Sequence, residues 1–244
     1  IPKFVIGLLL VLVTFLIICG GLKKIAAFSS KLVPIMTIIY IGSAFIVSIK
    51  NITILPSIFI KIITSAFKFK SIYGGFLFSM IIGIQRGIFS NEAGLGTGSI
   101  TSSTSSCKNP ISQGYIQVLG IYVTTLLICT STAIIVMTSN YESLILNDIN
   151  GIEITQHAFK YHFSDFGNIL LFVSVLLFSF TTILTGYYDG ESSLKYFNDK
   201  LKSRYLILLK LISLIVLFLG CILSSTFLWS FVDILMAFLA IINI

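Results

Sequence analysis

The segment of residues 83–99 concentrates the polar chemistry of an otherwise apolar chain. Its sequence is Gly-Ile-Gln-Arg-Gly-Ile-Phe-Ser-Asn-Glu-Ala-Gly-Leu-Gly-Thr-Gly-Ser, with five glycines, an Arg, an Asn and a Glu. A charge inside a bilayer is costly unless it is paired or faces water. Glycine and short polar side chains let a helix unwind beside a cavity, where exposed N–H and C=O groups meet an ion or a zwitterion. The pattern predicts a broken membrane helix with a binding site at the break, flanked by Arg86 and Glu92, which could pair across it.

A polar loop between two helices is the other interpretation of this segment. We disfavour it because residues 72–84 alone are too short to cross a bilayer, which takes about 20 residues. A nucleotide-binding loop is disfavoured further, since no strand precedes the glycines and no Gly-Lys-Ser/Thr follows them.

The composition of the whole chain indicates an integral membrane protein. Of its 244 residues, 56% are apolar and 10% are charged, and the mean hydropathy is +1.04. A soluble domain carries about a quarter charged residues, and a chain of this size has no core large enough to hide so much apolar surface. The apolar stretches suit helices rather than the alternating strands of a barrel. The sequence therefore predicts an all-α membrane protein and excludes soluble enzymes, secreted disulfide scaffolds and disordered tails.

Seven stretches come near the length that a bilayer requires. They cover residues 4–21, 32–49, 72–104 (broken), 113–137, 168–188, 205–223 and 227–244. Residues 54–67 are too short to span and predict an interfacial or loop helix. The chain has no initiating Met, and both of its ends fall in apolar runs. We therefore interpret residues 1–244 as one incomplete transmembrane domain of a longer protein.

Loop charges predict the orientation of these spans. Lys23, Lys24 and Lys31 follow the first span without an acid, which places them in the cytoplasm under the positive-inside rule. Alternation then makes residues 139–167 an extracellular loop, and its excess of acids over Lys160 agrees with that side. The net charge of +7 is explained by basic cytoplasmic loops rather than by nucleic-acid binding.

Several motifs resemble one transporter family. Arg86-Gly-Ile-Phe-Ser-Asn-Glu-Ala-Gly-Leu-Gly resembles the RGxFSNEAGxG stretch of the alanine/glycine:cation symporters, the sodium:alanine symporters of the APC superfamily. Residues 20–36 and 178–191 and the pair Trp229-x-x-x-Asp233 also resemble family passages, in the same order. The chain departs from the family pattern at Thr97-Gly-Ser-Ile, at Asp189, where an aromatic residue is usual, and at Met236-Ala-Phe.

The resemblance implies a LeuT-type fold, with a ten-helix core of two inverted five-helix repeats. The seven spans then correspond to helices four to ten. In this fold substrate and sodium bind between broken helices one and six, and helix eight completes the ion site. Because helices one to three are not in the sequence, we expect the chain to carry half of the site and to show no uptake by itself.

The resemblance also implies which residues contact the substrate. On helix six these are Gly87, Ser90 and Asn91, with Phe89 as an apolar lid. Exposed backbone groups and a short amide suit the carboxylate and ammonium of a small amino acid. Glu92 either accepts a hydrogen bond from the ammonium or bonds back to the unwound backbone. The second role is favoured, because an acid near a helix start often caps it.

The resemblance implies an ion site at two adjacent threonines on helix eight. Thr181 and Thr182, with the Phe178 carbonyl, offer oxygens of the kind that a hard cation prefers, and the resemblance assigns sodium to this helix. In the alternative, each hydroxyl only bonds the carbonyl one turn earlier, as is common in membrane helices. Asp233, one turn after Trp229, is interpreted either as a gating or coupling acid or as a surface acid at a helix start.

The function implied by the resemblance is sodium-coupled symport of alanine or glycine across the cell membrane, by alternating access in a multi-pass protein. Its partners are a small amino acid, sodium as the coupling ion and the lipid bilayer, with no cofactor and no nucleic acid. Two alternatives stay open: a proton-coupled amino-acid carrier of the same fold, and an inert truncated fragment of such a transporter. A channel is disfavoured, since no selectivity-filter-like repeat is present. No catalytic triad, Cys/His pair or paired carboxylates at a break are found, so we expect no enzyme activity.

Overall fold

The computed structural model describes residues 2–66, 75–103, 105–147, 149, 151–197 and 203–243. These residues form helices and turns, and no strand is found among them. In chain order the α-helices are α1 (Lys3–Ile18), α2 (Gly21–Lys50), α3 (Leu55–Ala66), α4 (Gly75–Asn91), α5 (Thr97–Ser102), α6 (Pro110–Tyr122), α7 (Thr130–Met137), α8 (Tyr141–Leu146), α9 (Ile152–Phe163), α10 (Asp165–Phe197), α11 (Ser203–Ile222) and α12 (Ser225–Asn243). A π-helical segment, Val123–Cys129, joins α6 to α7.

Among the residues that the structure describes, five helical segments are long and apolar enough to cross a membrane. They are Gly21–Lys50, Pro110–Met137, Asp165–Phe197, Arg204–Ile222 and Ser225–Asn243. Most apolar side chains of α11 and α12 are exposed, as they are in helices whose faces contact lipid. The described part of the chain is therefore helical throughout its regular structure and has the apolar helices of an integral membrane protein, as the composition predicted.

Helix α2 begins much earlier than the sequence predicted. It starts at Gly21 rather than near residue 32. Gly21 holds a φ of +75° that other residues rarely adopt, which permits the turn from α1 into α2. Neither Pro nor Gly follows until Pro34, which lies inside the helix. The basic segment of residues 22–31, predicted as a loop, is therefore helical.

The predicted extracellular loop, residues 139–167, contains two short helices, α8 and α9, and the start of α10. A sharp corner separates α9 from α10. Ser164 holds a φ of +54° there, and a Cβ on Gly167 would lie 2.1 Å from the Phe159 carbonyl oxygen. Only glycine fits at that position. Helix α10 continues to Phe197, beyond the predicted end of its span at residue 188.

The described residues group into two compact units. The first comprises Ile1–Val33, Glu92–Val118 and Phe178–Ile244, and the second comprises Pro34–Asn91 and Leu119–Leu177. The divisions fall inside α2, α6 and α10 and directly after α4. The long helices therefore contribute residues to both units.

The first unit is built around α1, the start of α2 and the second half of α10. Its buried core consists of Ile17, Ile18, Ile25, Phe180, Leu184, Tyr187 and Tyr188. The ring of Phe28 packs edge-on against Phe180, with centroids 5.8 Å apart. Helix α1 also packs along α11, where Gly7 permits a close approach, since a Cβ there would lie 3.1 Å from Cβ of Cys221.

The second unit packs α9 against α7 and α2. Val47, Ile135 and Phe159 are fully buried in it. The Tyr40 hydroxyl lies 2.7 Å from the hydroxyl of Thr132, so a polar contact joins α2 to α7 within this apolar core.

Candidate functional site

A break separates α4 from α5 where the sequence predicted one. Helix α4 ends at Asn91, α5 begins at Thr97, and residues 92–96 between them are not helical. Glu92, Gly94 and Gly96 hold φ values of +55°, +81° and +82°. Glycine adopts such angles freely, but a residue with a side chain does so at a cost of about 1–3 kcal/mol. The predicted third span, residues 72–104, has residues 72–74 and 104 outside the described ones.

Contacts within the first unit hold the break in shape. The Thr97 hydroxyl donates to Glu92 Oε2 at 2.6 Å, and the Asn243 amide at the end of α12 donates to the Gly94 carbonyl at 2.9 Å. A Cβ on Gly96 would lie 2.8 Å from Asn243 Oδ1. Glu92 thus bonds to the first side chain of α5. Asn243 was not predicted, because its partner lies 149 positions away in the sequence.

A cavity of about 380 Å³ lies next to this break in the first unit. Its lining residues are Val33, Glu92, Leu95, Thr97, Thr181, Thr182, Thr185, Gly186, Asp189 and Met236. Two of them carry carboxylates, four carry hydroxyl groups, and among the described residues no Lys or Arg lines the cavity. Such a set attracts a cation, because its oxygens carry negative charge without a cationic partner in the lining.

Asp189 is held at this cavity by α5. The Thr101 hydroxyl donates to Asp189 Oδ1 at 2.8 Å. In the sequence, Asp189 stands out only as a departure from the family pattern, and no role was predicted for it. No spacing rule links two residues so far apart, so their contact was not predictable.

The three oxygens predicted as sodium ligands lie together on one turn of α10. The hydroxyls of Thr181 and Thr182 both donate to the Phe178 carbonyl, at 3.0 and 2.9 Å. This is the geometry of the alternative interpretation, in which each hydroxyl bonds a carbonyl about one turn earlier. A hydroxyl oxygen that donates its proton can still act as a ligand through a lone pair, and both threonines line the cavity.

Ser90 and Asn91, predicted to bind the substrate, lie at the end of α4 in the second unit. Asn91 Nδ2 donates to the Thr125 hydroxyl at 3.1 Å, and Ser90 Oγ lies 3.2 Å from Cys129 Sγ. Thr125 and Cys129 belong to the π-helical segment, and π-bulges are frequent at functional sites. This π-helical segment was not predictable from the sequence, because an extra residue in a helical turn leaves a mostly apolar stretch looking the same.

The remaining predicted residues also have defined positions. A Cβ on Gly87 would meet no atom within 4 Å, and Phe89 is partly exposed on the same helix, α4. Arg86 lies on α4 in the second unit, whereas Glu92 lies in the first, and their pairing stays a prediction. Trp229 and Asp233 lie one turn apart near the start of α12, and their gating role also stays a prediction.

The fold and the cavity define a class of protein, and comparison with known proteins shows the family. Apolar membrane helices, one of them broken beside a polar cavity, are features of membrane transporters. The chain belongs to the sodium:alanine symporter family, whose model matches residues 1–244.

Curated relatives agree with this assignment. The chain is 39% identical to an uncharacterized transporter of Haemophilus influenzae over 246 residues, covering 98% of this chain and 50% of the relative. It is 34% identical to the probable sodium/glutamine symporter GlnT of Bacillus subtilis, covering 99% of this chain and 50% of that protein. It is 31% identical to a sodium/proton-dependent alanine carrier protein of Bacillus sp. PS3, covering 100% and 58%. The chain thus spans about half the length of the curated relatives it matches.

Proposed function

We propose that the protein containing this chain is a symporter that carries a small neutral amino acid across the cell membrane together with sodium. The observation that carries the proposal is the cavity beside the α4–α5 break, where two carboxylates and four hydroxyls meet without a lining Lys or Arg among the described residues. A LeuT-type transporter works by alternating access, and its binding pocket for ion and substrate forms when this half of the site is joined by the half that helix one contributes.

The cation is assigned to the oxygens of α10. Thr181, Thr182 and the Phe178 carbonyl supply three neutral oxygens within one helical turn, and Glu92 and Asp189 add negative charge across the cavity. A hard cation such as sodium prefers oxygen ligands. The ion is a cargo of the cycle, and its entry down the membrane potential supplies the energy.

The amino acid is assigned to the end of α4. Gly87, Phe89, Ser90 and Asn91 belong to the last five residues of α4, and Glu92 follows them in the sequence. Unpaired backbone N–H and C=O groups of a broken helix suit the charged ends of a zwitterion. The Asn91 amide is already oriented by Thr125, which favours one defined binding geometry.

We propose alanine or glycine as the substrate. A relative named as an alanine carrier supports alanine, while another named as a probable glutamine symporter makes glutamine the competitor to test. Proton coupling is the second candidate function. The carboxylates of Glu92 and Asp189 favour it, because a carboxylate can carry a proton as well as attract sodium.

The coupling energy is sufficient for accumulation. One sodium ion that crosses a potential of 100 mV releases about 2.3 kcal/mol, which supports roughly a 40-fold substrate gradient. Such a transporter therefore needs no ATP.

The proposal is tested with the complete gene product that contains these residues, reconstituted in proteoliposomes. We expect uptake of labelled alanine that depends on an inward sodium gradient and is competed by glycine more strongly than by glutamine. Replacing the sodium gradient by a proton gradient separates the two candidate coupling ions. Equal uptake with and without any cation gradient would contradict symport, and an absence of uptake by the complete product would favour an inert protein.

A further inference from the structure

A second cavity, of about 350 Å³, lies beside α5 and the end of α10 in the first unit. We call it the serine cavity, because its polar lining consists of Ser99, Ser103, Ser192 and Ser193. It differs in charge from the cavity beside the α4–α5 break, which we call the acidic cavity because Glu92 and Asp189 line it, since no charged side chain lines the serine cavity among the described residues.

The two cavities follow one another along α5 and α10. On α5, Thr97 lines the acidic cavity, whereas Ser99, Ile100 and Ser103 line the serine cavity. On α10, Thr185 and Asp189 line the first, whereas Ser192 and Ser193 line the second. The Thr101–Asp189 hydrogen bond joins the two helices where these linings meet. A ligand that leaves the acidic cavity along these two helices therefore meets the serine cavity next.

Ser192 is the residue of this cavity whose hydrogen bonding is incomplete. It is 7% exposed, and its Oγ has no hydrogen-bond partner among the described residues. A buried hydroxyl without a partner is destabilising, so a ligand that accepts a hydrogen bond is stabilised here once rotation about the Ser192 Cα–Cβ bond turns the buried hydroxyl into the cavity.

The other three serines offer acceptors. Ser99, Ser103 and Ser193 donate their hydroxyl protons to backbone carbonyls within their own helical turns, at 2.7, 2.7 and 2.8 Å. Each hydroxyl oxygen keeps lone pairs for a donor from the cavity. The cavity thus presents three acceptors and one unused donor.

These hydrogen-bonding groups of the serine cavity match the ammonium and carboxylate groups of an amino acid. An ammonium group has three N–H donors for the three acceptors, and a carboxylate oxygen can accept from Ser192. Ile100 and the exposed rings of Tyr196 and Phe197 provide apolar and aromatic surface for a small side chain and for the ammonium charge. Sodium alone suits the cavity less well, since it has no use for the Ser192 donor and finds no carboxylate there.

We propose that the serine cavity is a second, transient binding site for the transported amino acid, next to the acidic cavity along α5 and α10. It takes a small neutral amino acid as the zwitterion. This inference rests on the proposed function, because its ligand is the proposed substrate.

The test is equilibrium binding of labelled alanine to the complete gene product in lipid nanodiscs, at saturating sodium. We expect about two bound alanines per chain. Ser103→Leu, which adds volume at an exposed position, should lower this number to about one. Ser192→Ala, which removes the unused donor with little change of volume, should weaken the second site at least fivefold and leave the first within twofold.

The matched control is Ser174→Ala. Ser174 is a buried serine of the same helix that donates to the Leu170 carbonyl at 2.8 Å and lines neither cavity. This variant should bind two alanines. One bound alanine in the unmodified protein, or two in Ser103→Leu with unchanged affinities in Ser192→Ala, would overturn the serine-cavity site alone. No sodium-dependent alanine binding at all would overturn the proposed function as well.

Discussion

The hydroxyl of Thr101 donates a hydrogen bond of 2.8 Å to the carboxylate of Asp189 and so joins α5 to α10. The helix that begins after the break is thereby attached to the helix that carries Thr181 and Thr182. A change at the break and a change at the oxygens of α10 therefore share one connecting contact.

The charge of Asp189 should matter more than its hydrogen bond. We expect Asp189→Asn to raise the sodium concentration for half-maximal alanine uptake by about fivefold, or ~1 kcal/mol, because one of two negative charges at the cavity is lost. Thr101→Val keeps the charge and removes only the donor, so its effect should be smaller. Sodium titrations of uptake in proteoliposomes measure both. A larger effect of Thr101→Val would show that the sodium dependence relies on the hydrogen bond and not on the charge of Asp189.

The threonines of α10 should affect the ion before the substrate. We expect Thr181→Ala and Thr182→Val each to raise the half-maximal sodium concentration, since each removes one oxygen from the proposed ligand set. Alanine affinity at saturating sodium should stay within about threefold. Ser174→Ala on the same helix is the control. Unchanged sodium dependence in both threonine variants would place the ion elsewhere.

Removal of the Asn91 side chain should weaken alanine binding. The expected loss is about 1–3 kcal/mol, the cost of leaving a buried polar partner unsatisfied. Gly87→Val should be worse, because a β-branched residue fills the open space beside α4. Calorimetric titration of alanine at saturating sodium, on protein that is monodisperse in detergent, measures both.

Thr125→Val separates binding from positioning at the same site. It removes the hydroxyl that accepts from Asn91 but leaves the amide in place. If Asn91 binds substrate directly, Thr125→Val should weaken binding less than Asn91→Ala does. Equal losses would mean that the Asn91–Thr125 contact itself is the requirement, and affinities near that of the unmodified protein in all three variants would move the substrate site elsewhere.

The two glycines of the break should differ in their tolerance of alanine. Gly94→Ala adds a Cβ in open space and costs only the left-handed backbone conformation, about 1–2 kcal/mol. Gly96→Ala has the same cost and also brings a Cβ to 2.8 Å from Asn243 Oδ1, so it should destabilise more. Thermal unfolding in detergent compares them. Adding Asn243→Ala should relieve only the second variant, and equal destabilisation by both would contradict the described contact.

His162 should make the packing of α9 depend on pH. Its Nε2 lies 3.0 Å from the Thr138 hydroxyl and 3.0 Å from the Ile135 carbonyl. Burial lowers the pKa of His162 below its usual value of about 6.5, the Ile135 carbonyl opposes this, and the positive charge of Lys50 lowers it further. The unfolded state therefore binds the proton first, so the stabilisation is complete above about pH 6.5 and falls as the pH drops towards the folded pKa.

Hydrogen exchange of the α9 amides, corrected for intrinsic rates, measures this dependence. Protection should be lower at about pH 5.5 than at about pH 7.5. In His162→Gln, which has no titrating ring, the difference should shrink. An identical pH response in this variant would assign the effect to another group.

The position of the break was predictable from composition along the chain. Five glycines together with an Arg, an Asn and a Glu within residues 83–99 are not compatible with an ordinary lipid-facing helix, and the structure has non-helical residues at 92–96. The all-helical membrane class followed in the same way from apolar content. Both are local properties of the sequence, so a local pattern suffices to find them.

Contacts between distant residues were not predictable. Asn243 with Gly94 and Thr101 with Asp189 arise from tertiary packing, and no periodicity encodes them. The π-helical segment and the early start of α2 were also missed. In α2, the basic residues after Gly21 were assigned to a loop for their charge, although charged residues are good helix formers outside the apolar part of a membrane helix.

Glu92 combines an unfavourable backbone conformation with a carboxylate at the proposed ion site. Its backbone holds a φ of +55°, which glycine or asparagine would adopt more easily. Gly or Asn at position 92 would relieve this backbone conformation, but would discard the carboxylate that lines the acidic cavity and accepts a hydrogen bond from Thr97. A screen for thermostable variants of this protein should leave position 92 fixed, because relief of the backbone there would remove charge from the proposed ion site.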